Sequence, residues 1–212
     1  KYAAAHTDAQ VAKEVAKIHL MFKEAGIEKG DKIALIGRNN TRWCISYIAT
    51  ITYGAVIVPI LQDFNPNDVI NIVNHSESRL LFLGDNFWDD IEGDQIPDVE
   101  AVFSLTDYHV IHEKEGDKLT NYMKNILSHY REAYPRGFGI EDIKYPEIGN
   151  DEVCLLNYTS GTTGSSKGVM LCERNVCAVL EGIYPLLAGL TPEDSVMSVL
   201  PIYHTYEMSA GI

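Results

Sequence analysis

The chain has 212 residues, 46% of them hydrophobic and 22% charged, which is ordinary for a globular protein able to bury a core. Its formal net charge of −13 argues against a nucleic-acid partner, whose phosphates demand a basic face. The four cysteines, Cys44, Cys154, Cys172 and Cys177, form no C-x-x-C pair and sit in apolar or helical surroundings, so the expectation is buried free thiols in a reducing compartment.

Asp8 to Ala25 reads as an amphipathic helix, with Val11, Val15, Ile18 and Phe22 at helical spacing and Thr7 or Asp8 available as cap. Gly26 ends it, and Gly30-Asp31 turns into the apolar run Ile33–Ile36. Asn39-Asn40-Thr41 caps a second helix into Tyr53. From Trp43 to Gln62 there is no charge, which is long enough to span a membrane. Gly54 and Pro59 interrupt that run, however, and a helix, a Gly stop and a strand Ala55–Ile60 account for it better. Pro66-Asn67-Asp68 opens a third helix ending near His75. Strands follow at Arg79–Leu83 and Val99–Phe103, and the acidic residues between Asp85 and Glu100 read as a solvated face and loop.

Residues 104–150 carry the weakest pattern: a helix over Leu119–Tyr130, then a turn-rich stretch. His109 and His112 lack an evident third ligand and read as surface histidines rather than a metal pair. Val153 to Tyr158 is a strand, Val169 to Cys172 another, Glu173 to Leu187 a helix, and Ser195 to Leu200 a further strand. Strands alternating with helices through short Gly-marked joints predict an α/β fold: a doubly wound, mostly parallel sheet with helices on both faces.

Between the strands at Val153 and Val169 runs Thr159-Ser160-Gly161-Thr162-Thr163-Gly164-Ser165-Ser166-Lys167-Gly168. Glycines let backbone N–H groups approach phosphate oxygens, hydroxyls add donors, and an ammonium offsets charge. A linker would not be pinned between two buried strands, so a phosphate loop is expected. It is not a Walker loop. Ser166 stands where that pattern requires Gly, Gly168 stands at the Mg-binding hydroxyl, and a strand follows where a helix should open.

Tyr158 to Val169 resembles the signature loop of the adenylate-forming superfamily of acyl-CoA synthetases, luciferases and peptide-synthetase adenylation domains, [YF]-[ST]-[ST]-G-[ST]-T-G-x-P-K-G-V. Ser166 replaces the usual Pro, which removes stiffness rather than a donor. Gly30 to Leu35, Asn40 with Trp43, and Gly54 to Pro59 follow the order of the family's G-D-x-V-A-I, N…W and G-A-x-x-x-P segments. Leu200-Pro201-Ile202-Tyr203-His204 resembles its second signature, and Glu207 stands where the long-chain acyl-CoA branch carries Glu.

The resemblance implies ATP-dependent conversion of a fatty acid to acyl-adenylate and then acyl-CoA, with ATP, Mg²⁺ and coenzyme A taking part. It assigns Thr159, Ser160, Gly161, Thr162, Thr163, Gly164, Ser165, Lys167 and Gly168 to ATP and pyrophosphate, and Thr159 to the neighbourhood of the metal. Lys167 and His204 become the catalytic candidates, with His204 and Glu207 at the acyl site. The family's later motifs find no counterpart before Ile212. The expectation is therefore an incomplete large domain with its C-terminal domain absent and no turnover of its own. It would comprise a first α/β portion over 1–103, an irregular connection over 104–150, and a phosphate-loop and acyl-site portion over 151–212.

A long-chain acid as substrate further implies a cytoplasmic protein with peripheral contact at the inner face of a membrane. Alternatives are a medium-chain, aryl-CoA or acyl-carrier-protein ligase, a peptide-synthetase adenylation domain, and a non-catalytic nucleotide-binding module.

Overall fold

Thr7 begins the first helix, α1 (Asp8–Glu24), through a capping box: its hydroxyl accepts from the Gln10 amide and the Gln10 side chain answers to the Thr7 amide at 2.8 Å. The computed structural model describes residues 6–159 and 167–187, together with Gly189, Thr191 and Asp194. After α1 come β1 (Lys32–Ile36), α2 (Thr41–Tyr53), β2 (Val56–Ile60), α3 (Pro66–His75), β3 (Ser78–Leu83) and β4 (Ala101–Ser104). Asn40 caps α2, and Gly54 closes it in the left-handed region at φ +85°, where a side chain would be strained. The uncharged run from Trp43 thus resolves into helix, stop and strand. No described helix is long and apolar enough to cross a membrane.

The remaining elements are β5 (Val110–Glu113), α4 (Lys118–Lys124), α5 (Ile126–Ala133), β6 (Val153–Thr159), β7 (Lys167–Cys172) and α6 (Glu173–Leu187). Among the described residues seven strands form one sheet in the order β5-β4-β3-β1-β2-β6-β7. The five central strands are parallel, and β5 and β7 join the two edges antiparallel. Strand order reverses at β1, with β2 on one side and β3 on the other, which is the doubly wound arrangement.

Each central strand alternates between two cores. Ile33, Leu35, Leu80 and Phe82 face the layer of α1 and α2, while Ala34, Ile36, Leu81 and Leu83 face α3 and the 3₁₀ turns at Asp85–Asp90 and Gly93–Gln95. Burial on both faces explains why these strands read as unbroken apolar runs. The acidic stretch keeps its carboxylates largely outward, and it anchors through buried Ile91, Ile96 and Val99.

Four expectations are corrected. The segment after the signature loop is not a buried strand: among the described residues β7 is the last strand of the sheet, with Val169 44% and Met170 69% exposed. Cys154 is buried, but Cys44 and Cys172 are half-buried and Cys177 is exposed; all four are free. The helix expected over Leu119–Tyr130 is two helices. Asn125 breaks it, because its side-chain amide donates to Asn121 O at 2.9 Å and its own carbonyl starts the next turn. Lastly, β5 falls inside the stretch expected to be irregular. A tight turn delivers it, in which Tyr108 takes φ +65° and the Ser104 hydroxyl and Asp107 carboxylate accept backbone amides.

Candidate functional site

The site forms at the C-terminal end of β6, where the parallel sheet gives way to the β6–β7 hairpin. Leu155 pairs with Ile57, which ties β6 to the parallel core. From Leu155 onward β6 pairs with β7 in step: Leu156 with Met170, Asn157 with Val169, Tyr158 with Gly168 and Thr159 with Lys167. Among the expected loop residues, Thr159, Lys167 and Gly168 are therefore brought together, and all three are exposed. Ser160, Gly161, Thr162, Thr163, Gly164 and Ser165 lie outside the described residues, as do the strand expected at Ser195–Leu200, His204 and Glu207.

Local packing explains two of the signature's residues. Tyr158 is 3% exposed and belongs to the core on the α3 side, and burial pushes its phenol above the usual range. Its ring lies against Gly168. A Cβ there would come within 3.2 Å of Tyr158 Cζ and Leu156 Cδ1, so the position holds glycine for close approach rather than for a special φ.

Tyr158 also has a partner that sequence reasoning missed. Its hydroxyl lies 2.7 Å from Nδ1 of His75, and the two rings meet edge to face at 5.8 Å. Eighty-three positions separate the two residues, so no local spacing could signal the pair.

The histidines considered for a metal are engaged elsewhere. His109 contacts Asp107 at 2.5 Å, and His112 stacks on Trp88. Among the described residues no group of three or more His, Cys, Asp or Glu is placed to hold a metal ion. A cleft of about 620 Å³ opens between α1, α4 and the turn before β5, lined by Lys17, Tyr108, Met123 and Lys124 among others. It includes none of the signature residues.

A doubly wound sheet whose strand β6 runs into a hairpin bearing Thr159, Lys167 and Gly168 defines an α/β domain of the open-sheet class. The sequence model of the AMP-binding enzymes matches residues 3–212, and the chain belongs to that family. It is 30% identical over 192 residues to fatty acyl-CoA synthetase A of Dictyostelium discoideum, covering 87% of this chain and 27% of that protein. With the long-chain-fatty-acid–CoA ligase of Salmonella typhimurium it shares 26% identity over 205 residues, 87% of this chain and 35% of that one. The apo structure of MatB from Rhodopseudomonas palustris superposes with a TM-score of 0.74 at 20% identity, covering 97% of this chain and 37% of that protein. The shared fold is that of the adenylate-forming enzymes. The chain spans about a third of the length of the curated relatives it matches.

Proposed function

We propose that the protein to which these residues belong activates a long-chain fatty acid in two steps. The carboxylate attacks the α-phosphorus of ATP, forming a C–O–P bond and expelling pyrophosphate. The thiol of coenzyme A then attacks the acyl carbon, forming the thioester and releasing AMP and a proton. The observation that carries this reading is the β6–β7 hairpin. It presents Thr159 and Lys167 side by side and exposed, at the end of a parallel strand, in a family of AMP-binding enzymes.

Attack of one anion on another is limited by charge and alignment, not by lack of a protein nucleophile. In this reading Lys167 neutralises the β- and γ-phosphates that depart, and the amides and hydroxyls of 159–168 hold them in line. Mg²⁺ would offset phosphate charge here, with the Thr159 hydroxyl near it and a glutamate of the longer protein as the partner of that hydroxyl. His204 and Glu207 form part of the acyl site, on the strength of the second signature.

The preference for a long aliphatic acid rests on Glu207 and on the Salmonella relative named for long-chain fatty acids. We assign 1–103 to a first α/β portion, 104–150 to a connection and 151–212 to the loop and acyl-site portion, with turnover requiring a longer protein. Its work on such an acid places it in the cytoplasm, in peripheral contact with a membrane surface.

The test is pyrophosphate exchange by the full-length protein in the presence of palmitate, benzoate or an amino acid. Exchange supported by palmitate alone is expected. Exchange with benzoate or an amino acid and not with palmitate would transfer the protein to another branch, and no exchange with any acid would defeat the adenylation reading.

A further inference from the structure

We propose that His75 is a positioning residue for the phosphate loop, acting through Tyr158; the proposal rests on the adenylation reading for its catalytic consequence but not for its geometry. Three observations meet at this point. The Tyr158 hydroxyl is hydrogen-bonded to His75 Nδ1 at 2.7 Å, and the rings stand edge to face. The Tyr158 ring fills the space against Gly168, across the hairpin. Tyr158 directly precedes Thr159, and Gly168 directly follows Lys167, so one phenol touches both arms from which the loop departs.

His75 can serve as an anchor because its own backbone is fixed. It is the last residue of α3, where Ser76 N donates to Ile72 O at 2.9 Å and Glu77 N to Asn74 O at 3.0 Å. The Ser76 hydroxyl is within 2.7 Å of the Ser78 hydroxyl, joining the helix end to β3. Val69, Ile72 and Val73 bury the inner face of the same helix. A rigid helix end therefore reaches across to a hairpin that is an exposed sheet edge on its other side. Among the described residues, main-chain pairing holds the hairpin only through β6, because β7 is the last strand in the order. The superfamily signature admits Phe in place of Tyr158, so a bond to this hydroxyl is a feature of this chain and not a requirement of the loop.

His75→Phe keeps an edge-on ring and removes Nδ1. His75→Asn removes the ring and offers a polar atom near the Nδ1 position. In the full-length protein, hydrogen–deuterium exchange at the amides of 158–159 and 167–168 is expected to quicken in His75→Phe and to stay near the unmodified rate in His75→Asn. In pyrophosphate exchange the KM for ATP is expected to rise about two- to tenfold in His75→Phe with kcat changed much less, the range set by loss of one neutral hydrogen bond. Tyr158→Phe should match it, and the double variant should do no worse than either single one.

Unchanged amide exchange in His75→Phe would overturn the proposal, and if exchange quickens in His75→Asn alone, the ring and not the bond is responsible. If the unmodified protein shows no pyrophosphate exchange with any acid, the adenylation reading falls, and amide exchange still decides whether His75 holds the hairpin.

Discussion

Thr159 and Lys167 are partners across the β6–β7 ladder, so residues 160–166 leave from and return to adjacent points on one sheet edge. That closure fixes where the ammonium stands relative to the hydroxyl. A lysine on an unpaired linker would have to be ordered by the phosphate itself, at a cost in side-chain and backbone entropy. Here the strand register has already restricted its backbone, and only the four-carbon stem remains to be ordered.

Lys167→Ala should therefore slow adenylation without unfolding the hairpin, since Lys167 is exposed and contributes to β7 through its backbone. Hydrogen bonds from a charged donor are worth about 1.5–3 kcal/mol, so pyrophosphate exchange by the full-length protein should fall roughly tenfold to a hundredfold. Exchange at the unmodified rate would remove Lys167 from the phosphate grip.

Gly168→Ala tests the packing behind the loop. The added methyl would press on Leu156 Cδ1 and on Tyr158 Cζ, each at 3.2 Å, and Tyr158 cannot swing aside while its hydroxyl is bound to His75. Insertion of one methyl into a packed contact should cost about 1 kcal/mol, seen as a lower urea midpoint. Shortening the neighbour, in Gly168→Ala with Leu156→Ala, should bring less additional loss than Leu156→Ala causes alone. Simple addition of the two losses would mean that the methyl meets no resistance.

The central sheet was legible in the sequence because its signals are local. Asn40 and Gly54 mark the two ends of α2 by cap chemistry, Pro66 opens α3, and the fully buried strands repeat apolar residues without a break. Features that depend on neighbours distant in sequence were not legible. β7 is apolar enough to read as buried, but its exposure follows from being last in the order of the described strands. β5 has only four half-buried residues and becomes a strand through pairing with β4. His75 carries no mark of its bond to Tyr158, since a histidine in the last turn of a helix is favourable there for the helix dipole alone.

Arg79 holds three chain segments that the sequence pattern left unconnected. Its guanidinium donates to Asp31 at 2.5 Å and to Gly26 O at 2.9 Å, and it grips the Glu100 carboxylate through Nε and Nη2. The fork thereby joins the start of β3 to the turn before β1 and to the residue preceding β4. With the side chains a quarter to two fifths exposed, the network should be worth more than a surface pair and less than a buried one. Arg79→Met is expected to lower unfolding free energy by about 1–3 kcal/mol in urea titration. Arg79→Lys should recover only part of it, because a single ammonium cannot span both carboxylates in the plane of the fork. Full recovery by lysine would show that net charge alone matters there.

His19 gives the fold a pH dependence of defined sign. The ring lies between α1 and α2, its Nε2 3.0 Å from Ala49 O and 3.1 Å from the Thr52 hydroxyl, with Tyr53 edge-on at 5.2 Å. Burial holds its pKa below the ordinary 6.5, only partly offset by the bond to the Ala49 carbonyl. Below about pH 6.5 the unfolded chain therefore takes up a proton that the folded chain refuses, and unfolding gains as pH falls. The loss begins near the unfolded value and continues down to the lowered folded one, at no more than about 1.4 kcal/mol per pH unit for a single proton. Urea midpoints at pH 7.5 and 5.5 should thus separate more in the unmodified chain than in His19→Gln, since every other titrating group is common to both. An equal separation in the two chains would show that His19 is as free to protonate in the fold as outside it.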